Sequence, residues 1–274
     1  MPEAVEQIEK AYRTSGELQK VTSGYTQIDK LTNGFQPGDL IILGARPSIG
    51  KTSLALNMAT RISVKYSVPV GFFSCEMSRQ QLVNRIIAAE GKINLAGIRS
   101  GVIRESDFSR ITGVCAKLYL SQLIIDDTPD ISLAQLKSKS RQMKRMGCQI
   151  IFVDYLTLIR YGKAQVPRHE RVGEISKSLK SLARELEIPI MALSQVGRSA
   201  EGRMPTLSDL RQSGEIEEDA DLIMLLHRER DQQETRICVA KNRNGATDTV
   251  SLAFLPQFVC FETLIRKPSE EAPV

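Results

Sequence analysis

Imidazole is scarce in this sequence: His169 and His227 are its only histidines. The five cysteines, Cys75, Cys115, Cys148, Cys238 and Cys260, are odd in number and include no Cys-x-x-Cys pair. Both facts speak against a structural zinc site, which takes four closely spaced Cys and His ligands. They also speak against a disulfide framework and for reduced thiols. No apolar run approaches the roughly 20 residues that cross a bilayer. The opening segment MPEAVEQIEK lacks the apolar core of a signal peptide. No membrane partner and a cytoplasmic location are therefore expected. Internal repeats and low-complexity tracts are also missing.

What is present suits a folded enzyme. The 274 residues fit one large α/β unit, and a hydrophobic share of 42% suffices for a sizeable core. A net charge of +5 permits a nucleic-acid partner without requiring one. Residues 3–13 place Val5, Ile8 and Tyr12 at helical spacing before Thr14-Ser15-Gly16 breaks the pattern. So short a helix must dock to persist, on its own domain or on a neighbouring subunit.

From Asp39 the pattern changes to short apolar runs alternating with helical stretches. Strands are predicted over 40–45, 68–77, 123–127, 149–159, 188–195 and 220–228. Helices are predicted over 53–66, from Ser78 to Gly91, and over 132–147 and 172–187. The last three runs, TRICVAKNRNG, DTVSLAFLP and QFVCFET, read as antiparallel β structure. Apolar strands alternating with helices predict an α/β fold, a mostly parallel sheet covered on both faces. In such sheets ligands bind at the carboxyl ends of the strands. The polar tail KPSEEAPV is expected to fray.

The segment ARPSIGKT has the spacing G-x-x-x-x-G-K-[ST], with Ala45 at the first glycine position, and joins a predicted strand to a predicted helix. Alanine fits there if φ stays negative. The nucleotide-binding set is Ala45, Arg46, Pro47, Ser48, Ile49, Gly50, Lys51, Thr52 and Ser53. Backbone N–H groups would cradle phosphates, Lys51 would reach the β- and γ-phosphates, and the Thr52 hydroxyl would ligate Mg²⁺. ATP and Mg²⁺ are the expected cofactors. Asp154 ends the apolar run IIFVD, where a Walker-B carboxylate holds the magnesium shell. Glu76 ends the run GFFSCE in the next strand and has two readings: a general base for the attacking water, or a surface Glu opening a helix. Gln195 likewise is either a sensor of the γ-phosphate or a solvated strand end.

Taken together, ARPSIGKT, FSCEM, IIFVDYL, LSQ, DLRQSGEIEEDAD and AKNRNG resemble the DnaB-type replicative hexameric DNA helicases, in that family's order and over roughly residues 20–262. The resemblance implies a RecA-like motor domain. It makes Glu76 the catalytic base, Gln195 the sensor, and Lys241 and Arg243 the cations that one subunit inserts into its neighbour's ATP site. It points to Arg211, Gln212 and Gly214 as the single-stranded DNA loop, with Arg198 and Arg203 as further DNA contacts. The loop from Tyr161 to Arg171 is channel-facing in the family, with Arg160, Lys163, Arg168 and Arg171 as a local basic concentration; read alone, it is a solvated flexible loop. Implied partners are single-stranded DNA, a homo-hexamer, a helicase loader and primase, with 5′ to 3′ translocation. Family members carry an N-terminal helical collar that this sequence does not include, which leaves the primase contact open. The expected organisation is a linker helix and connection over 1–19, a motor over 20–266 and a flexible tail over 267–274. A RecA/RadA-type recombination ATPase and a non-unwinding ATP-dependent loader remain as alternatives.

Overall fold

A computed structural model describes residues 20–160, 168–210, 214–229 and 231–264. The expected linker helix, the tail, Arg211 and Gln212 lie outside the described residues, as does Lys163. Among the described residues nine strands form one sheet in the order β3-β2-β4-β5-β1-β6-β7-β8-β9. The strands are β1 Leu40–Ala45, β2 Val70–Ser74, β3 Leu123–Asp126, β4 Ile150–Asp154, β5 Ile190–Gln195, β6 Leu222–His227, β7 Glu234–Asn242, β8 Thr249–Leu255 and β9 Cys260–Thr263. The first six pair in parallel, and β7, β8 and β9 extend the sheet antiparallel.

Alternate side chains along each strand feed two cores, because successive residues point to opposite faces. Ile41, Leu43, Phe72, Phe152 and Leu193 join one core, while Leu40, Ile42, Ile151, Val153 and Ala192 join the other. The helices are α1 Thr26–Thr32, α2 Lys51–Thr60, α3 Arg79–Gly91, α4 Leu95–Ser100, α5 Glu105–Leu120, α6 Leu133–Arg145, α7 Arg168–Leu186 and α8 Gly214–Asp219. Residues of α1, α2 and α3 cover the first face, and those of α6, α7 and α8 the second. Fully burying each such Leu, Ile or Phe stabilises the fold by about 1.5–3 kcal/mol. Phe72 and Phe152 stack across β2 and β4 with ring centroids 5.9 Å apart.

Two predicted strands end early. Residues 75–77 bend away after Ser74, and the run past Asp154 becomes a single 3-10 turn, Leu156–Leu158. Each ends where its ladder ends, since Ser74 and Asp154 are the last partners of the β2–β4 pair. Helices α1, α4 and α5 have no counterpart in the sequence reading. All five cysteines are free. No helix among the described residues is long and apolar enough to cross a membrane.

Candidate functional site

Because strands β1 to β6 are parallel, Ala45, Ser74, Asp154, Gln195 and His227 all finish at the same edge of the sheet. The chain turns there from β1 into α2. Ser48 and Gly50 take positive φ, 66° and 109°, and this alternation turns backbone N–H groups into a concavity suited to an anion. A Cβ on Gly50 would come within 3.0 Å of the Phe261 ring. Ala45 stays in the strand, buried and without positive φ, so alanine meets no penalty at the first loop position. Ile49 packs inward against the core.

The helix start is left open. Ser78 and Ser132 cap α3 and α6 with reciprocal capping boxes. At α2 the N-cap is Gly50, with no side-chain cap. Its first-turn N–H groups are therefore available to a phosphate, which the helix dipole also favours.

Around this start lies a cleft of about 540 Å³, lined by the phosphate loop, Thr52, Ser53, Glu76, Met77, Arg85, Gln195, Arg228, Phe254, Pro256 and Val259. Asp154 is 1% exposed, and neither carboxylate oxygen has a hydrogen-bond partner. Burial raises its pKa, with Lys51 and then Thr52 pulling the other way. Thr52 thus approaches the carboxylate and favours its charged form without completing a hydrogen bond. Burial likewise lowers the pKa of Lys51, against the pull of Asp154 and Glu76. The Lys51 ammonium lies 4.7 Å from the centre of the Tyr155 ring. Glu76 is exposed on the bend after β2, and Gln195 is exposed opposite Ala45 in the sheet register.

A buried, unpartnered carboxylate costs several kcal/mol unless something compensates it. Beside Thr52 and an open helix N-terminus, Mg²⁺ bound with nucleotide phosphates is the chemistry that fits. No group of three or more His, Cys, Asp or Glu residues among the described residues makes a metal cage. That accords with Mg²⁺, which is held through one or two protein groups and the substrate's phosphates.

Two arginines join the cleft that the sequence reading missed. Arg85, on α3, donates from Nη1 to Ser53 Oγ at 3.3 Å, and its buried Nε has no partner. Arg228 donates to the Ser48 carbonyl at 3.1 Å and lies 4.4 Å over the Phe254 ring. The position of Arg228 just past an apolar strand, like that of Gln195, was the available signal; Arg85 on a helix face gave none.

Other predicted residues lie elsewhere. Lys241 and Arg243 stand at the opposite edge, because β7 returns antiparallel and pairs Asn242 with Leu222 at the start of β6. A strand like β1 spans roughly 17–20 Å, so neither reaches the phosphate loop of its own chain. Lys241 donates to the Glu217 carbonyl. Arg243 donates to Asp221 Oδ1 at 3.2 Å and to the Glu218 carbonyl at 2.7 Å. Arg198 is exposed on a short turn after β5. Arg203 binds Asp209 through both Nη atoms, at 2.8 and 2.6 Å. Those bonds above all hold the Asp209 carboxyl well below the usual range. Gly214 opens α8. Arg160 is exposed, Arg171 is half-buried, and Arg168 starts α7.

A phosphate loop between β1 and α2, with an acidic strand end beside it, defines the class: a RecA-like P-loop α/β fold. A solved structure described as an ATPase domain superposes with a TM-score of 0.91 at 33% identity, covering 96% of this chain and 98% of that one. A DnaB-like replicative helicase, whose structure is described with its primase interactions, gives 0.88 at 33% identity, covering 97% of this chain and 67% of that one. The replicative DNA helicase DnaB of Treponema pallidum (strain Nichols) is 47% identical over 262 residues, 95% of this chain and 60% of that protein. That of Geobacillus stearothermophilus is 42% identical over 275 residues, 96% of this chain and 61% of that protein. The family described as the DnaB-like helicase C terminal domain matches residues 20–263. The chain belongs to this family. It spans about 60% of the length of these two curated relatives.

Proposed function

We propose that this chain is the ATP-hydrolysing motor of a replicative DNA helicase, acting as a ring of six on single-stranded DNA, with residues 20–266 as the motor, 1–19 as a linker and 267–274 as a tail. The observation that carries this reading is the separation of the two sets of charged residues. The nucleotide cleft lies at the carboxyl edge of the parallel strands, whereas Lys241 and Arg243 lie at the amino edge of the same sheet. On this reading Lys241 and Arg243 serve a neighbour's cleft, beside that cleft's own Lys51, Arg85 and Arg228, so turnover requires assembly.

The open start of α2 and Lys51 bind the phosphates of ATP. Thr52 and Asp154 would hold Mg²⁺, which when bound offsets phosphate charge and orients the γ-phosphate. Glu76, exposed at the cleft, takes the proton of the attacking water. Arg243 of the neighbouring subunit stabilises charge developing in the transition state, an effect worth 10³–10⁵ in rate for such arginines. Gln195 stands beside Ala45 in the sheet, and the backbone leads from it through Gly197, whose N–H donates to the Asp209 carbonyl at 3.0 Å. Asp209 precedes the Arg211–Gly214 segment, so a change at the γ-phosphate has a short path to the DNA loop. Binding through phosphates makes DNA affinity independent of sequence and sensitive to salt. A loader, and primase through segments outside this chain, are the further partners of this reading.

The test is ATP turnover against protein concentration, with and without single-stranded DNA, alongside light scattering and a strand-separation assay. A rate that climbs steeply with ring formation and responds to DNA is expected. A rate strictly proportional to concentration, from a monomer indifferent to DNA, would overturn the ring reading. DNA-stimulated turnover by open filaments without strand separation would favour a recombination ATPase.

A further inference from the structure

We propose that Asp221 is a positioning residue for Arg243, tying it to the strand that carries the subunit's own phosphate loop; the inference rests on the trans role of Arg243 above. Asp221 is only 5% exposed, yet its carboxylate serves three separate elements. It accepts from the Leu40 N–H at 2.8 Å, from Lys180 Nζ on α7, and from Arg243 Nη1 at 3.2 Å. The main chain repeats the link. Asp221 N–H donates to the Leu40 carbonyl at 2.9 Å, and Arg243 N–H donates to the Asp221 carbonyl at 2.9 Å. A second tether runs from Asn244 Nδ2 to Asp39 Oδ2 at 3.1 Å.

The turn that bears Arg243 is thus fastened at two points to the amino end of β1. Half of the Arg243 side chain stays open, at 46% exposure, so a guanidinium anchored on one side can present its other donors outward. An arginine reaching across a subunit boundary must keep one rotamer until its phosphate arrives. A charge-assisted bond to a buried carboxylate supplies that fixed geometry. β1 is buried throughout its six residues and paired on both sides. One end of it holds the finger for the neighbour's site, and the other end is the subunit's own phosphate loop.

The test is steady-state ATP turnover of the assembled chain carrying Asp221→Asn, alone and combined with Arg243→Ala. Protein concentration is kept high enough to measure the residual Arg243→Ala rate. Asn keeps the shape and removes the charge. The expected result is a fall in kcat of about 10- to 100-fold, the size of one charge-assisted hydrogen bond. KM for ATP and ring formation should stay near those of the parent, the melting temperature should fall because Lys180 loses its buried carboxylate, and the pair should lose no more kcat than Arg243→Ala alone. Asn244→Ala, at an exposed position, serves if Asp221→Asn folds poorly, with a kcat loss of about 2- to 10-fold. Normal turnover in both variants, with Arg243→Ala inactive, overturns the positioning role and leaves the finger standing. Losses that multiply with that of Arg243→Ala, or a raised KM for ATP, also overturn it. Normal turnover of Arg243→Ala itself removes the finger and this proposal together.

Discussion

The two edges of the sheet treat charge in opposite ways. At the amino edge Asp221 meets Leu40, Lys180 and Arg243, and Asp39 meets Asn244, so these two carboxylates have partners, although Asp219 Oδ2 beside them has none. At the carboxyl edge Asp154 is more deeply buried and has no hydrogen-bond partner, Arg85 Nε has none, and the helix start at Gly50 is uncapped. Unsatisfied buried polar groups call for an explanation, and in the proposed function those at the carboxyl edge are met by phosphate and metal. In the same proposal the bonds of Asp221 and Asp39 fix a geometry.

The contrast predicts different failures at the two edges. Lys51→Ala should abolish both nucleotide binding and turnover, since Lys51 meets the phosphates directly. Arg243→Ala should keep binding while turnover drops by about 10³- to 10⁵-fold. Equilibrium binding of a fluorescent ATP analogue, run beside phosphate release, separates the two; equal loss of binding in both variants would erase the distinction between the edges. A smaller effect is expected of Glu76→Gln, about 10²- to 10⁴-fold in kcat with binding retained. If that variant turns over like the parent, Glu76 is a surface residue that only opens the helix after β2.

The smallest predicted effect concerns stability at the amino edge. Burial, and then the charge of Asp221, push the Asp39 carboxyl up to about 6. In the unfolded chain it titrates near 3.9. Between about pH 4 and 6 the folded protein therefore holds a proton that the unfolded chain has released. This contribution to stability is full below about pH 4 and is lost as pH rises through about 6. Asp39→Asn should flatten that slope in melting temperatures measured from pH 4 to 6.5. Parallel slopes in parent and variant would put Asp39 in the ordinary range.

Much of the scaffold was legible because buried parallel strands read as continuous apolar runs. LIILGA became β1 with its predicted bounds, and the three C-terminal runs became the antiparallel strands β7, β8 and β9. The runs around FFSCEM and FVDYLTLI were read too long. Their apolar character continues past the ladder, and a strand stops where its neighbour's pairing stops, which no single run encodes. Helix α5 was missed because its outer face is apolar: Phe108, Tyr119 and Leu120 are exposed at 58%, 89% and 82%, which blurs the periodicity. At the site, the phosphate loop announced itself by spacing and Asp154 by its place at the end of IIFVD. Arg85 did not, since a lone arginine on a helix face carries no pattern, and Arg228 offered only its place past an apolar strand.

The sequence alone determined the strand, loop and helix from Leu40 to Thr60, because backbone geometry, the glycine at position 50 and the apolar run are all local. Only the tertiary structure decided that Lys51 and Arg243 stand at opposite edges of one sheet. That separation follows from β1 lying between β5 and β6 and from β7 returning antiparallel beside β6, and strand order is set by long-range packing of two cores, which local sequence does not specify.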